Sequence, residues 1–359
     1  MSERRDPPLS WAAEVPGLAG SVFMVLLFAA TVAGRLLYPF DLEWMEGGML
    51  THGLRVQQGL PLYVLPSGDF IPFIYPPLYA WVLGIASHGI ELGYPLGRAI
   101  SVVGSVAAAV AVGMAAHSQG TRWPLSIGAG ALFLSTYEDG GQFLDLVRID
   151  GLAIGLVAWA LVAGRHGWWR AAGVTLVLAY ATKHSLAAFG LPILWWAHAS
   201  GGRRAALQFV QWCVAPALVF TGLMLLEGDG LFLTYLLGVP GAHPLVGARL
   251  FTSQWELLQA LPIAVAAAGV AGAGVVVFGD RAWLTLKTPT GGTFWMVCGG
   301  LAIVMTSVMR AHHGGYLNVL IPGLWFLSLA GAVGLHQLRS LRSGPLGVVG
   351  TSLLLGVQL

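Results

Sequence analysis

Three carboxylates lie close together near the start of the chain and are candidates for proton-transfer or metal-binding chemistry. Asp41, Glu43 and Glu46 belong to the segment YPFDLEWMEG, in which aromatic residues surround them. Glu43 and Glu46 are three positions apart, so they would share one face of a helix. Such carboxylates can act as a general base or bind a metal ion. The alternative interpretation is a solvated acidic loop that has no chemical role.

A second acidic patch precedes an apolar stretch in the segment EDGGQFLDLVRID. Asp145, Arg148 and Asp150 lie where a helix is predicted to enter a bilayer. Ionisable groups at such depth are costly and are therefore functional candidates. Asp145 and Arg148 could instead neutralise each other on one helical turn. The pattern leaves both interpretations open.

Two basic patches follow further along the chain. Lys183 and His184 interrupt a pair of apolar predicted helices, and no acid is near them in the sequence. Arg310, His312 and His313 belong to the glycine-rich turn MRAHHGGYLN. Lys183 requires an anion, either an acid of the first two patches or a bound phosphate, and the basic turn could bind phosphate. Lipid headgroups would also satisfy both patches. The adjacent histidines alone are a weak indication of a metal site.

The composition predicts the kind of protein that contains these patches. Hydrophobic residues make up 56% of the 359 residues and charged residues only 9%, against about 25% charged residues in a soluble domain. We therefore predict an all-α polytopic membrane protein in which residues 1–359 form a single integral membrane domain. The net charge of +2 gives no indication of nucleic-acid binding. Cys213 and Cys298 lie in apolar stretches, so neither a disulfide framework nor a metal cluster is expected.

Apolar runs of about 20 residues predict the membrane-spanning helices. The first run follows Arg4 and Arg5 and lacks a cleavage site, so we expect it to remain as a signal anchor. The last run stops where the chain ends, which is consistent with a truncated C-terminal end. About eleven spans are predicted, at 17–36, 97–117, 124–138, 150–164, 168–182, 184–199, 205–226, 257–279, 293–309, 317–337 and 344–359.

The distribution of charge predicts the orientation in the membrane. Residues 37–96 are expected to form a long extracytoplasmic loop with interfacial helices, in which the apolar segment 74–90 does not span. With the N-terminus in the cytoplasm, the inner side then holds 11 of the 18 basic residues, as the positive-inside rule requires. These are Arg4, Arg5, Arg122, Arg165, Arg170, Arg203, Arg204, Arg281, Lys287, Arg339 and Arg342. The acids on the inner side are Glu3, Asp6, Glu14 and Asp280, and the others lie outside.

In their order along the chain, these motifs resemble the GT-C superfamily of polytopic glycosyltransferases. That superfamily includes the protein O-mannosyltransferases and the lipid A aminoarabinose transferases. The resemblance extends from about Tyr38 to Gly323. It rests on short motifs, namely DLEWMEG, HGLRVQQGLPLY, IYPPLY, Arg98 near a helix start, LVRIDGLAIG, the TKHS turn and GGYLNVLIPG.

The resemblance implies a membrane helix bundle in the bacterial inner membrane with an extracytoplasmic active site. It also implies a polyprenyl-phosphate sugar as donor and a lipid, glycan or protein as acceptor. An acid of the first loop would be the general base, with Glu43 as the first candidate and Glu46 and Asp41 as the others. Asp150 resembles the second acid of the family, and Asp145 belongs to the same patch. The donor phosphate would be bound by Arg148, Lys183, His184, Arg310 and His313.

The chain departs from the family pattern at two points. Family members usually present Asp as the base, often as Asp-Glu, whereas this chain has Asp41, Glu43 and Glu46 with other residues between them. Relatives that act on lipid A carry a lysine where this chain has Tyr75, which disfavours that substrate. Some relatives use a divalent metal, which this sequence does not establish. The alternative is a non-enzymatic transporter or flippase of lipid-linked saccharides, but we find no internal repeat of the kind that transporters often show.

Overall fold

A computed structural model describes residues 10–227, 230–278, 291–341 and 345–359, and within this part of the chain the regular elements are helices. This confirms the all-α prediction. The α-helices are α1 Ser10–Leu36, α2 Glu46–Gln57, α3 Leu78–Ala86, α4 Tyr94–His117, α5 Trp123–Ser135, α6 Ile149–Arg165, α7 Trp169–Thr182, α8 Gly190–Leu226, α9 Leu231–Leu233, α10 Val239–Gly241, α11 Arg249–Ala260, α12 Pro262–Phe278, α13 Gly291–Ala311, α14 Ile321–Leu341 and α15 Pro345–Gln358. Short 3-10 helices occupy His184–Phe189 and Leu317–Leu320, and a π-helical turn occupies Thr234–Gly238.

Five of the described helical stretches are long and apolar enough to cross a membrane. They are Ala13–Leu36, Tyr94–His117, His184–Leu226, Gly291–Ala311 and Leu317–Arg339. Each of the eleven predicted spans overlaps a helix of the structure, but the number of spans stays a prediction. The spans predicted at 184–199 and 205–226 meet within α8, where Gly202 has φ +70° and interrupts the helix.

The sequence prediction differs from the structure around α11 and α12. The span predicted at 257–279 begins inside α11, which ends at Ala260, and α12 starts only at Pro262. The amphipathic helix α11 was not predicted as an element, because its polar residues interrupt the apolar run. The helical turns within Leu231–Gly241 were also not predicted.

The long first loop contains α2 and α3, which are too short to cross a bilayer. They have 12 and 9 residues, which corresponds to lengths of about 18 and 14 Å, whereas the hydrocarbon core is about 30 Å thick. The length of α3 agrees with the prediction that segment 74–90 does not span. Because α2 begins at Glu46, Glu43 precedes the helix, so the expectation that the two acids share a helix face is wrong.

Close packing of α4 against α6 fixes the start of α6. A Cβ atom on Gly104 would lie 2.4 Å from the carbonyl oxygen of Gly151, and one on Gly155 would lie 2.5 Å from that of Gly104. Small residues allow membrane helices to approach in this way. On the same face of α4, Ser101 Oγ donates to the carbonyl of Arg148 at 3.0 Å. The segment that carries Arg148 and Asp150 is therefore held firmly.

The predicted orientation depends partly on residues outside the described ranges. These are Glu3, Arg4, Arg5, Asp6, Asp280, Arg281, Lys287 and Arg342. The side of the membrane on which each loop lies, and the boundaries of the single membrane domain, therefore stay predictions.

Candidate active site

A cavity of about 880 Å³ gathers side chains from all four of the patches that the sequence singled out. Its walls come from the loop before α2, the loop before α6, the turn after α7 and the turn between α13 and α14. The predicted site residues that line it are Glu43, Arg148, Lys183 and His184. The predicted residues that are not among the lining residues are Asp41, Glu46, Asp145, Asp150, Arg310 and His313.

Glu43 and Arg148 form an ion pair at the wall of the cavity. Arg148 Nη1 donates to Glu43 Oε2 at 2.9 Å, and the same oxygen accepts the backbone N–H of Met45 at 3.1 Å. Arg148 Nη2 donates to the hydroxyl of Tyr75 at 3.1 Å. Among the described residues, no donor contacts Glu43 Oε1, and the Glu43 side chain is 16% exposed. Glu43 therefore has an oxygen available to a ligand.

Glu46 forms a buried ion pair with Arg98. Both side chains are 0% exposed. Glu46 accepts two hydrogen bonds from Arg98, at 2.8 and 3.1 Å, and one each from the backbone N–H groups of Leu42 and Val147. Burial raises the pKa of Glu46, but these hydrogen bonds outweigh burial and leave the pKa below its ordinary value. Glu46 thus ties the first loop to the segment before α6.

Asp41 lies on the outside of the same loop. Its Oδ1 accepts the backbone N–H of Gly47 at 2.8 Å and the hydroxyl of Tyr94 at 3.0 Å. This position lets Asp41 stabilise the start of α2, where a carboxylate is favourable. Of the three acids in the first loop, Glu43 is the one that lines the cavity.

Asp150 and Lys183 pair beneath the cavity floor. Lys183 Nζ donates to Asp150 Oδ1 at 2.8 Å, and Asn318 Nδ2 donates to the same oxygen at 3.0 Å. Asp150 Oδ2 is buried and has no hydrogen-bond partner among the described residues. Lys183 and Asn318 also line the cavity, whereas Asp150 does not. The ion pair therefore exposes its cation, Lys183, to the cavity and keeps Asp150 buried.

Asp145 pairs with Arg35 rather than with Arg148. Arg35 Nε donates to Asp145 Oδ2, and Tyr137 donates to Oδ1, both at 2.8 Å. Burial raises the pKa of Asp145, and Arg35 only partly offsets this effect. The alternative of an Asp145–Arg148 pair on one helical turn does not occur, because α6 begins only at Ile149.

The late basic turn contributes different residues from those predicted. Arg310 forms a two-oxygen pair with Glu256, with contacts of 2.7 to 3.2 Å, and donates to the carbonyl of Gly315. To bind a phosphate, Arg310 would have to break its ion pair with Glu256. His313 is exposed and His312 lines the cavity. His312 Nε2 lies 2.7 Å from the carbonyl of Pro240, which joins this turn to the segment before α11.

Several lining residues were not predicted from the sequence. Arg35 lay within the first predicted span and Asn318 within a motif. Both line the cavity, and they donate to Asp145 and Asp150, respectively. Tyr75 was noted as a departure from the family, and the structure places its hydroxyl on Arg148. The IYPPLY motif was the only sequence signal for this role.

Metal binding finds no support in the described ranges. Within them, no group of three His, Cys, Asp or Glu side chains is arranged to hold a metal ion. The acids and histidines of the cavity, such as Glu43 and His184, come from separate walls.

His52 positions the segment that carries Tyr75. Its Nδ1 lies 2.7 Å from the carbonyl of Gly48, and its Nε2 accepts the backbone N–H of Phe73 at 2.9 Å. The ring also packs between Phe70 and Phe73. Both nitrogens are satisfied by neutral imidazole, in which Nδ1 carries the proton and Nε2 accepts. Burial, with a smaller contribution from Arg55, lowers the pKa of His52 to about 4.

Acidification is therefore expected to destabilise the protein through His52. A histidine whose pKa is lower in the folded state stabilises the fold above its unfolded pKa, near 6.5, and this contribution is lost as the pH falls towards 4. The loss amounts to about 3 kcal/mol for a shift of this size. The measurement is thermal unfolding in detergent between pH 7.5 and 4, for the wild type and for His52→Gln. If the two proteins lose stability in parallel, other groups carry the acid sensitivity.

Comparison with known proteins shows the fold. No family model matches the sequence, and no curated protein matches it. ArnT from Cupriavidus metallidurans bound to undecaprenyl phosphate is similar with a TM-score of 0.63 and 14% identity, over 87% of this chain and 60% of that one. The apo state of ArnT gives a TM-score of 0.60 and 16% identity, over 87% and 59%.

The chain thus spans about 60% of the length of the ArnT chains that it matches. At this identity the likeness concerns the fold. The chain is a multi-pass membrane protein with the ArnT-like GT-C fold, which confirms the resemblance found in the sequence at the level of fold.

Proposed function

We propose that this chain, with its ArnT-like GT-C fold, is a membrane glycosyltransferase that takes sugar from a polyprenyl-phosphate donor. The observation that carries the proposal is the cavity, in which a carboxylate with an available oxygen lies beside cations. Glu43, Arg148 and Lys183 line it together. The similar ArnT structure binds undecaprenyl phosphate. A basic cavity in the same fold supports a lipid phosphate ligand here.

In the proposed reaction, Glu43 is the general base. Its carboxylate takes the proton of an acceptor hydroxyl while the acceptor oxygen forms a bond to the anomeric carbon. The bond between the anomeric carbon and the phosphate oxygen breaks, and its electron pair leaves with the phosphate. A single displacement of this kind inverts the anomeric centre. Glu46 and Asp41, the other candidates for the base, are given structural roles by their hydrogen bonds.

The cations of the cavity stabilise the leaving phosphate. Arg148 and Lys183 each present a charged donor, and His184 lines the same wall. Fixed donors near developing negative charge lower the barrier because they need no rearrangement during the reaction. Asp150 orients Lys183 from below, through the bond of 2.8 Å. Arg310 and His313 have no part in this proposal, since they do not line the cavity.

The proposed setting follows the charge distribution of the sequence. We place the cavity on the extracytoplasmic side of the bacterial inner membrane, with the N-terminus in the cytoplasm. The acceptor is a lipid, a glycan or a protein.

Incubation with defined donors tests the proposal. The purified chain in lipid is given a panel of undecaprenyl-phosphate sugars with a crude membrane extract as acceptor. Mass spectrometry then measures the undecaprenyl phosphate released. Release that requires one particular sugar is the expected result. If intact lipid-linked sugar binds but none is consumed, the protein is a transporter or flippase instead.

A further inference from the structure

The candidate base and one of the candidate phosphate ligands neutralise each other in the structure. Arg148 Nη1 lies 2.9 Å from Glu43 Oε2. In this arrangement Glu43 Oε2 is occupied, and one donor group of Arg148 is withheld from a phosphate. A phosphate that uses this donor group must therefore displace Glu43.

Glu43 is the partner that is free to move. Arg148 is 4% exposed, is held by Tyr75 and packs against the ring of Phe143. Glu43 lies on the loop before α2, is 16% exposed and receives one further hydrogen bond, from Met45. The acids of the neighbouring pairs differ, since Glu46, Asp145 and Asp150 have side chains no more than 2% exposed. Among the acids of these pairs, Glu43 is thus the one that a cavity ligand can reach.

We propose that the donor phosphate displaces Glu43 from Arg148, so that donor binding releases the base from its ion pair. This inference rests on the proposed function and adds a binding order to it. A phosphodiester carries one negative charge, as does the carboxylate that it replaces, so Arg148 stays neutralised throughout. Lys183 lies on the same cavity and supports the incoming charge. An acceptor hydroxyl that arrives before the donor meets a carboxylate still paired with Arg148.

The same exchange resets the site after transfer. The product is a phosphate monoester, which carries about −1.5 to −2 charges at neutral pH, so it holds Arg148 more strongly than the donor does. Glu43 meanwhile carries the proton taken from the acceptor. Loss of that proton to water restores a carboxylate that competes for Arg148, which favours departure of the lipid phosphate.

The test measures binding of undecaprenyl phosphate, without any turnover. Glu43→Gln keeps the size of the side chain but removes the competing charge from Arg148. We expect Glu43→Gln to bind the lipid phosphate about 10-fold more tightly than the wild type, a typical size for coupling between ligands. The matched control is Glu138→Gln, which removes one negative charge from the same cavity. Glu138 is hydrogen-bonded by Gln142 and forms no ion pair within the described ranges.

The control separates competition from a general change in the charge of the cavity. Glu138→Gln is expected to change the affinity by less than about 3-fold, because it touches no phosphate ligand. Glu43→Ala, which lacks the amide, is expected to match Glu43→Gln. If both Glu43 variants bind no more tightly than Glu138→Gln, the inference is overturned although glycosyl transfer stands. If the variants bind as expected but no donor is consumed, the exchange stands and the proposed function falls.

Discussion

Replacing Glu43 by glutamine is expected to lower kcat for sugar transfer by about 100-fold or more, the range that general-base catalysis supplies. Among the three acids of the first loop, Glu43 is the one on the cavity wall, and its Oε1 has no donor among the described residues. Glutamine fills the same volume but cannot accept the acceptor's proton. The measurement is the rate at which undecaprenyl phosphate is released from the donor identified in the panel.

The comparison with Asp41→Asn makes this prediction specific. Asp41 lies two positions before Glu43 but contacts Gly47 and Tyr94 rather than the cavity. If Asp41→Asn abolishes release while Glu43→Gln does not, Asp41 is the base and the loop must rearrange when substrates bind. Binding of undecaprenyl phosphate by Glu43→Gln shows in the same experiment that the variant is folded.

The sequence predicted where the helices lie because lipid imposes a simple requirement. A span needs a long apolar run, and such runs are visible in the residues alone. The same rule failed at α11, which carries polar residues on one side and was not recognised as a separate helix. Glu256, the partner of Arg310, lies on this helix. The pairing of Arg310 with Glu256 was therefore not predicted, because the helix that carries Glu256 was not predicted.

The sequence singled out the four patches that supply the cavity, but it predicted few of the ion pairs between them. Residues from all four patches meet at the cavity, as Glu43, Arg148, Lys183 and His312 show. The pairing follows from helix packing between distant parts of the chain, since Glu43 and Arg148 are 105 positions apart. Sequence reasoning considered Asp145 with Arg148 within one helical turn, and Lys183 with an acid of the first two patches. The structure forms the Lys183–Asp150 pair, whereas the first pair requires a helix that is not formed at those positions.

The buried pair of Arg98 and Glu46 gives the second large expected effect. Arg98→Met is expected to lower the free energy of unfolding by about 3–5 kcal/mol, because it leaves a buried carboxylate without its cation. Arg98 also donates to the carbonyls of Arg35, Tyr38 and Phe40, at 2.6 to 2.8 Å. These bonds fasten the chain where it leaves α1. The measurement is denaturant unfolding of the purified protein in detergent.

A double variant separates the charge from the backbone contacts. Glu46→Gln with Arg98→Met removes the unpaired carboxylate and should recover part of the loss, as replacement of both partners of a buried pair often does. Recovery should be incomplete, because the carbonyls of Arg35, Tyr38 and Phe40 still lack the hydrogen bonds that Arg98 donates. Arg55→Met is the control. Arg55 is half-buried, donates to the carbonyl of Pro61 and lies over the ring of Phe70 at 4.2 Å. Its loss should cost about 1–2 kcal/mol, less than the loss of Arg98. A double variant as unstable as Arg98→Met would mean that Arg98 acts through these carbonyls and not through Glu46.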